Sequence, residues 1–215
     1  MKFNYLLSAL FLLVTVTLSA QKPFEGKIVY KIDYPSLPEE MKGMEGMLPK
    51  ETIVYTKGTK SRSETASLMG NQVVISDSKK DYGVVLMDMI GQKIAIEPTA
   101  EEMKDSKERS DKMVVKYLNE TKTIAGIKCK KATITSPDEE FPLEVYYTEE
   151  YSNYNTNDMK QLKGMPLEYS IKANGLEMRM VAQTVKAEKV ADSMFEVPAD
   201  YQKMTSQELE KMFGQ

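Results

Sequence analysis

Three methionines spaced three residues apart are the first side chains in this sequence that could do chemistry. Met41, Met44 and Met47 lie in the segment PSLPEEMKGMEGMLPK, residues 35–50. Thioether sulfur is a soft ligand that suits Cu(I), and three of them can form a trigonal site. The same methionines, together with Leu48, would equally form an apolar lid, because methionine adapts to irregular apolar surfaces. The lid is favoured, since no second metal-ligating cluster lies nearby in the sequence.

The other reactive groups favour structural roles. Cys129 lies in the segment IKCKK, where lysines could lower the pKa of its thiol. The chain has no second cysteine and no histidine, so a buried structural thiol is expected. Glu139-Glu140 and Glu149-Glu150 resemble the carboxylate pair of a glycosidase, but adjacent residues of a strand face opposite sides. We therefore predict no catalytic residues and no enzyme activity.

The amino-acid composition excludes several further classes of function. The 215 residues carry 29 Lys and Arg against 32 Asp and Glu, a net charge of −3, so no basic surplus predicts a nucleic-acid partner. The chain has no histidine, which excludes histidine triads and histidine-bound zinc. It has one cysteine, which excludes intramolecular disulfides. With 41% hydrophobic and 28% charged residues, the sequence predicts a globular chain with no cofactor, and a monomer.

The N-terminus predicts export. Residues 1–20, MKFNYLLSALFLLVTVTLSA, combine one lysine with an apolar run and small residues at the end, which is typical of a signal peptide. A membrane anchor is the alternative, but the apolar run is shorter than the ~20 residues that span a bilayer. Cleavage is expected after Ala20, with Ser19 as the alternative position. Residues 21–215 should then form a single domain in the periplasm of a Gram-negative bacterium, without a transmembrane segment.

Alternation of apolar and polar residues predicts a mainly β fold. Period-two patterns with β-branched and aromatic residues indicate half-buried strands. Nine segments show them: Glu25–Tyr34, Glu51–Lys57, Gln72–Asp77, Tyr82–Met89, Met113–Leu118, Ile127–Thr135, Leu143–Tyr147, Leu167–Ala173 and Leu176–Lys186. Turn residues such as Asn174-Gly175 connect them, so an antiparallel meander is expected.

The sequence predicts few helices. Thr99–Glu102 and Thr205–Glu208 both fit a capping box and should each open a short helix. Residues 101–112 mix both charges, which favours a solvated face. Prolines and glycines in residues 35–50 predict a mobile loop with at most one helical turn, and residues 151–163 should turn at the surface.

The apolar side of each predicted strand defines a candidate ligand cavity. Its members are Tyr30, Ile32, Tyr55, Leu86, Tyr169, Ile171, Met178 and Met180. Side chains two positions apart on a strand share a face, so we expect them to surround a common apolar interior.

Four motifs in order resemble known exported proteins. The strand–turn–strand of residues 72–87 and the Phe-x-x-Pro ending at Phe195–Pro198 resemble the LolA/LolB superfamily of periplasmic lipoprotein carriers. Gly164-Met165-Pro166 and the Gly-x-x-x-Arg from Gly58 to Arg62 resemble an uncharacterised exported bacterial family of related topology. Together these motifs cover most of residues 24–203.

The resemblance implies a fold and a function. The fold would be an antiparallel sheet curled into an incomplete barrel, with short helices or loops across its mouth and an apolar cavity inside. Arg62 would be a latch for a loop, or else a solvated strand arginine. The expected function is to bind lipid or an acylated protein as a carrier or sensor. The alternatives are a structural or protein-interaction module with a filled barrel, and a Cu(I)-binding protein.

Overall fold

The computed structural model describes residues 21–213, apart from positions 22, 69, 90, 137–141, 155–158 and 174. The predicted signal peptide, Glu139-Glu140 and Asn174 therefore lie outside the described residues. Twelve strands form one sheet: β1 (Glu25–Ser36), β2 (Glu51–Lys57), β3 (Lys60–Ser67), β4 (Gly70–Asp77), β5 (Tyr82–Met89), β6 (Gln92–Glu97), β7 (Val114–Ile124), β8 (Ile127–Thr135), β9 (Leu143–Thr148), β10 (Met165–Ala173), β11 (Leu176–Ala187) and β12 (Gln202–Thr205).

The strand order is β12-β6-β5-β4-β3-β2-β1-β11-β10-β9-β8-β7. Two antiparallel meanders, β2–β6 and β7–β11, therefore lie on either side of β1. The short strand β12 is the exception to antiparallel pairing, because it pairs parallel to β6.

The sheet curls without closing. In a flat sheet β7 and β11 would be roughly 19 Å apart, which is four strand spacings. They nevertheless contact each other. The edge strands β7 and β12 are not neighbours in the sheet. The predicted mainly β fold, an incompletely closed half-barrel, is confirmed.

All nine predicted strand segments are strands, and three further strands were not predicted. β3 has the sequence KSRSETAS, which carries almost no apolar alternation. It pairs with β2 and β4 on both sides, so backbone hydrogen bonds rather than an apolar face place it in the sheet. The strands β6 and β12 have only six and four residues.

Both predicted capping boxes are confirmed. The Thr99 hydroxyl accepts from the backbone N–H of Glu102, and the Glu102 carboxylate accepts from the Thr99 N–H. This box opens helix α1 (Ala100–Asp111). Thr205 and Glu208 make the same pair of bonds at α2 (Ser206–Phe213). Residues 35–50 hold two 3₁₀ turns, Glu39–Met41 and Glu45–Met47, rather than the single turn predicted.

The two faces of the sheet carry separate apolar clusters. We call the face with Ile28, Tyr30 and Val54 the inner face; it holds the larger cluster. The opposite, outer face holds Val73, Ile75 and Leu86, covered by Phe195, Val197 and Tyr201 of the C-terminal segment. In the segment expected to turn at the surface, Tyr154 and Leu162 are buried in the inner cluster.

Candidate ligand-binding site

The inner face differs between the two halves of the sheet. The half formed by β1 and β7–β11, the tyrosine half, is filled by large side chains such as Tyr30, Tyr147 and Tyr169. The half formed by β2–β6, the polar half, carries short polar side chains on the same face: Thr52, Ser61, Ser63, Thr65 and Ser76. Several bond to one another across strands, including Thr52 to Thr65 at 2.8 Å and Ser61 to Ser76 at 2.7 Å. Among these five side chains, Ser76 lines a cavity above the sheet.

This cavity of about 380 Å³ lies between α1 and the inner face of β4–β6. We call it the α1 cavity. Val74, Val85 and Ile96 form its floor, since they are register neighbours on three adjacent strands. Val74 is 36% exposed and Met103 is 41% exposed, although both line this one space.

The cavity exists because α1 does not fill it. Met103, Ser106, Lys107 and Ser110 line the cavity at positions i, i+3, i+4 and i+7 of the helix. That stripe is normally apolar in a helix that packs on a sheet. Here two serines occupy positions where leucine-sized side chains would close the gap. The space is therefore a consequence of the residue types in α1.

The charged groups at the cavity rim are unevenly paired. Lys160 contacts the Asp81 carboxylate at 2.5 Å, and this hydrogen bond lowers the pKa of Asp81. The Ser206 hydroxyl and the Thr99 capping bonds lower the pKa of Glu102. The remaining cations, Lys107 and Arg109, also line the cavity. Within the described part of the chain, neither has a salt-bridge partner.

A second concavity lies on the outer face. This groove, of about 760 Å³, runs between residues 46–50 and the turn that joins β3 to β4. We call it the loop groove. Met47, Leu48, Ile53, Leu68, Val73 and Tyr201 provide its apolar lining. Its charged residues are Lys50, Glu51, Glu64 and Asp88, so carboxylates outnumber cations.

The structure places six of the eight predicted cavity residues on the inner face of the tyrosine half. Tyr30 and Tyr169 are buried, with ring centroids 5.9 Å apart. Ile32 and Tyr169 both pair with Met180, and Ile171 pairs with Met178. These residues form or border a packed core and do not line the α1 cavity. Their role as ligand contacts stays a prediction.

Tyr55 and Leu86 lie on the outer face, so the expected common interior does not include them. Tyr55 pairs with Lys27 and Arg62, whereas Tyr30 pairs with Thr52. The alternation in β2 predicts that Ile53 and Tyr55 face inward, but Thr52, Val54 and Thr56 occupy the inward positions. Leu86 is buried in the outer cluster beneath the C-terminal segment.

The four residues of the predicted lid do not lie together. Met47 and Leu48 line the loop groove, while Met41 is half-buried and Met44 is exposed, and neither lines the groove or the α1 cavity. Tyr34 anchors the loop by donating to the Pro49 carbonyl. Arg62 contacts Glu64 at 2.6 Å and donates to the Met194 carbonyl. Arg62 thus holds the C-terminal 3₁₀ turn (Asp192–Phe195) against the outer face.

Cys129 is fully buried, and burial raises the pKa of its thiol to about 11. The thiol is therefore protonated at neutral pH, as a structural cysteine would be. Among the described residues, no group of three or more Cys, Asp or Glu side chains could hold a metal ion. The described helices are also too short or too polar to cross a bilayer.

One feature of the sequence indicates the α1 cavity, although the alternation along the strands does not reveal it. The capping box locates α1, and the helical positions Met103, Ser106 and Ser110 then share one face. The mixed charges of residues 101–112 obscured this stripe, because they predict a solvated helix. Small residues on the inward face of a helix indicate a gap only once the opposite wall is known.

Comparison with known proteins relates the fold to solved structures. No family model and no curated protein matches the chain. Two structures of PNGF-II are similar: the C2 crystal form at a TM-score of 0.57 and the P21 form at 0.56, both 17% identical. These matches cover 88% and 89% of this chain, but only 32% and 34% of PNGF-II.

A weaker likeness exists to MucB in the crystal structure of its complex with MucA(peri). Its TM-score is 0.39 and its identity 14%, over 82% of this chain and 54% of that chain. In the two PNGF-II matches, the chain spans about a third of the length of PNGF-II, and it shares its fold with the matched third.

Proposed function

We propose that this protein is a non-catalytic binding protein that holds an apolar ligand, a lipid or a lipoprotein acyl chain, in the α1 cavity. It would act as a carrier or sensor in the periplasm. The observation that carries the proposal is the convergence of Val74 and Met103 on one cavity while each stays more than a third exposed. The export pattern of residues 1–20 supports the location.

The energetics of the cavity favour an apolar occupant. Its volume of about 380 Å³ lies in the range of small-molecule sites, ~300–1,000 Å³. Each methylene group that leaves water for an apolar surface gains about 0.8 kcal/mol. The floor of Val74, Val85 and Ile96 offers such a surface without any polar group to desolvate. An alkyl chain along this floor would also shield Met103 from water.

Filling the cavity is the direct test. In Ser106→Leu a larger apolar side chain takes the place of the ligand, so binding of the neutral fluorescent probe N-phenyl-naphthylamine should be lost while the thermal midpoint stays the same or rises. Asp105→Leu adds the same side chain at an exposed position that does not line the cavity. This control should keep probe binding. Equal binding by both variants would exclude the α1 cavity as the site.

The natural ligand is accessible by native mass spectrometry. Protein purified from its own periplasm should carry a lipid or an acylated peptide as an additional mass, and Ser106→Leu purified in the same way should not. A protein recovered without any bound mass, and without affinity for the neutral probe, would favour the alternative of a structural module.

A further inference from the structure

We infer that the ligand of the α1 cavity carries an anionic head group on its apolar chain, and that Lys107 and Arg109 bind this head group. The inference rests on the proposed function and extends it to the chemical class of the ligand. It depends on how charge and apolar surface are divided within one cavity.

The cavity lining has one more cation than carboxylates, and two of its cations form no ion pair. Lys107, Arg109 and Lys160 face Asp81 and Glu102. Asp81 is held by Lys160 at 2.5 Å, and Lys107 acts on it only as a further nearby charge. Glu102 accepts bonds from Thr99 and Ser206, which fix it as the capping residue of α1. Lys107 and Arg109 form no ion pair with any described residue.

The positions of these groups orient an amphiphile. The apolar floor lies on the strands, and both cations lie in the second half of α1, on the opposite wall. Lysine and arginine side chains keep their charge near water while their stems cover apolar surface. A chain lying on Val74, Val85 and Ile96 would therefore place its head between these cations and solvent.

A hydroxyl group completes the polar end. Ser106 lines the cavity one position before Lys107 on α1. Carboxylate and phosphate oxygens accept such charge-assisted and hydroxyl bonds. A neutral alcohol head group would leave both cations without a partner.

The test compares ligands of one chain length that differ only in the head group. Dodecanoate and dodecanol are titrated against protein loaded with N-phenyl-naphthylamine, and displacement of the probe is measured. The native protein should bind dodecanoate about fivefold more tightly, as expected for partly exposed ion pairs. The double variant Lys107→Gln, Arg109→Gln should lose this preference and keep its affinity for dodecanol.

Lys104→Gln is the matched control, because Lys104 lies on the same helix, contacts Glu108 at 3.8 Å and does not line the cavity. It should keep the preference for dodecanoate. A third ligand, lysophosphatidylglycerol, distinguishes a phospholipid source from a free fatty acid. Tighter binding of either anionic ligand than of dodecanol, lost in the double variant, supports the inference.

Two outcomes would overturn it, and they differ. Ligand binding to Ser106→Leu, which should not hold the probe, is measured by calorimetry. If dodecanol binds as tightly as both anionic ligands, and Ser106→Leu abolishes its binding, the head-group inference is wrong while the apolar site stands. If none of the three ligands displaces the probe, or Ser106→Leu binds them all as the native protein does, the proposed function itself fails.

Discussion

The tyrosine half and the polar half of the sheet use the same inner face in opposite ways. In the tyrosine half Tyr30 donates to the Pro166 carbonyl at 2.7 Å and lies 3.0 Å from the Tyr154 hydroxyl, so even its polar atoms are satisfied inside the core. In the polar half, threonine and serine hydroxyls pair across strands, and the α1 cavity lies over Val74, Val85 and Ile96. The tyrosine half therefore contains the larger packed core, whereas the polar half contains the α1 cavity.

The outer face shows how the polar half remains folded without a full inner core. There Phe195, Val197 and Tyr201 pack on Val73, Ile75 and Leu86. Lys57 contacts Asp192 at 3.1 Å, and Arg62 holds the Met194 carbonyl. The C-terminal segment thus stabilises strands β2–β6 from the side opposite the cavity. Binding and packing are separated across the thickness of the sheet, so residues of the cavity can change without loss of the fold.

The largest difference between the halves should appear when valine is shortened to alanine. Val145→Ala removes two methyl groups from a fully buried position of the tyrosine half and should destabilise the protein by about 2 kcal/mol. Val74→Ala, on the floor of the α1 cavity, should cost less than ~0.5 kcal/mol because Val74 is already open to the cavity. Urea unfolding measures both, and equal losses would remove the distinction between the halves.

A smaller effect should follow from deleting one hydroxyl in each half. Tyr30→Phe leaves the Pro166 carbonyl without its donor inside the core, which should cost about 1–2 kcal/mol. Tyr82→Phe removes a hydroxyl for which the described residues provide no hydrogen-bond partner, so its stability should not change. Chemical denaturation of the two variants side by side gives the comparison. Tyr30→Phe with native stability would mean that the tyrosine network contributes no net stability.

The sequence predicted the architecture better than the site, for a physical reason. Alternation located Tyr30, Tyr169 and Met180 on one face because burial of one face imposes a period of two. It misplaced Tyr55, since Thr52 and Thr56 are buried inward as hydrogen-bonded hydroxyls, which a hydrophobic pattern does not detect. The α1 cavity brings together helix and strand residues from distant parts of the chain. No local pattern encodes such a gap, although the capping box located the helix correctly.

Acidic pH should lower the stability of the tyrosine half because it protonates Glu168. Burial alone would raise the pKa of Glu168, but the bonds from Lys122 at 2.5 Å and Arg179 at 2.6 Å lower it below its ordinary value. A carboxylate with a lowered folded-state pKa contributes stability above its unfolded pKa and loses it as the pH falls through the folded pKa. Glu168→Gln should therefore cost about 1 kcal/mol at pH 7 and nothing near pH 2.

Denaturation at the two pH values measures this effect. Glu149→Gln is the control, since Glu149 forms an exposed ion pair with Lys130 at 2.6 Å and should contribute little at either pH. The same loss in Glu168→Gln at both pH values would show that the side chain acts by shape and not by charge.

The smallest effect on stability is expected in the loop of residues 35–50, and it separates the two concavities. Replacing Met41, Met44 and Met47 by serine should change the free energy of unfolding by less than ~0.5 kcal/mol, because Met44 and Met47 are exposed and Met41 is only half-buried. Met212→Ser, at an exposed methionine of α2, is the control for the loss of a thioether at the surface. A large drop in the thermal midpoint would place the three methionines in the core.

The same triple variant decides where an apolar ligand binds. Met47 and Leu48 line the loop groove on the outer face, whereas Ser106 lines the α1 cavity on the inner face. If the α1 cavity is the site, the triple variant should bind N-phenyl-naphthylamine as the native protein does, and Ser106→Leu should not. The reverse pattern would move the site to the loop groove, with the methionines as its cover. Loss of Cu(I) binding in the triple variant, with apolar binding intact, would instead show that the three thioethers hold a metal ion and that the loop acts independently of the cavity.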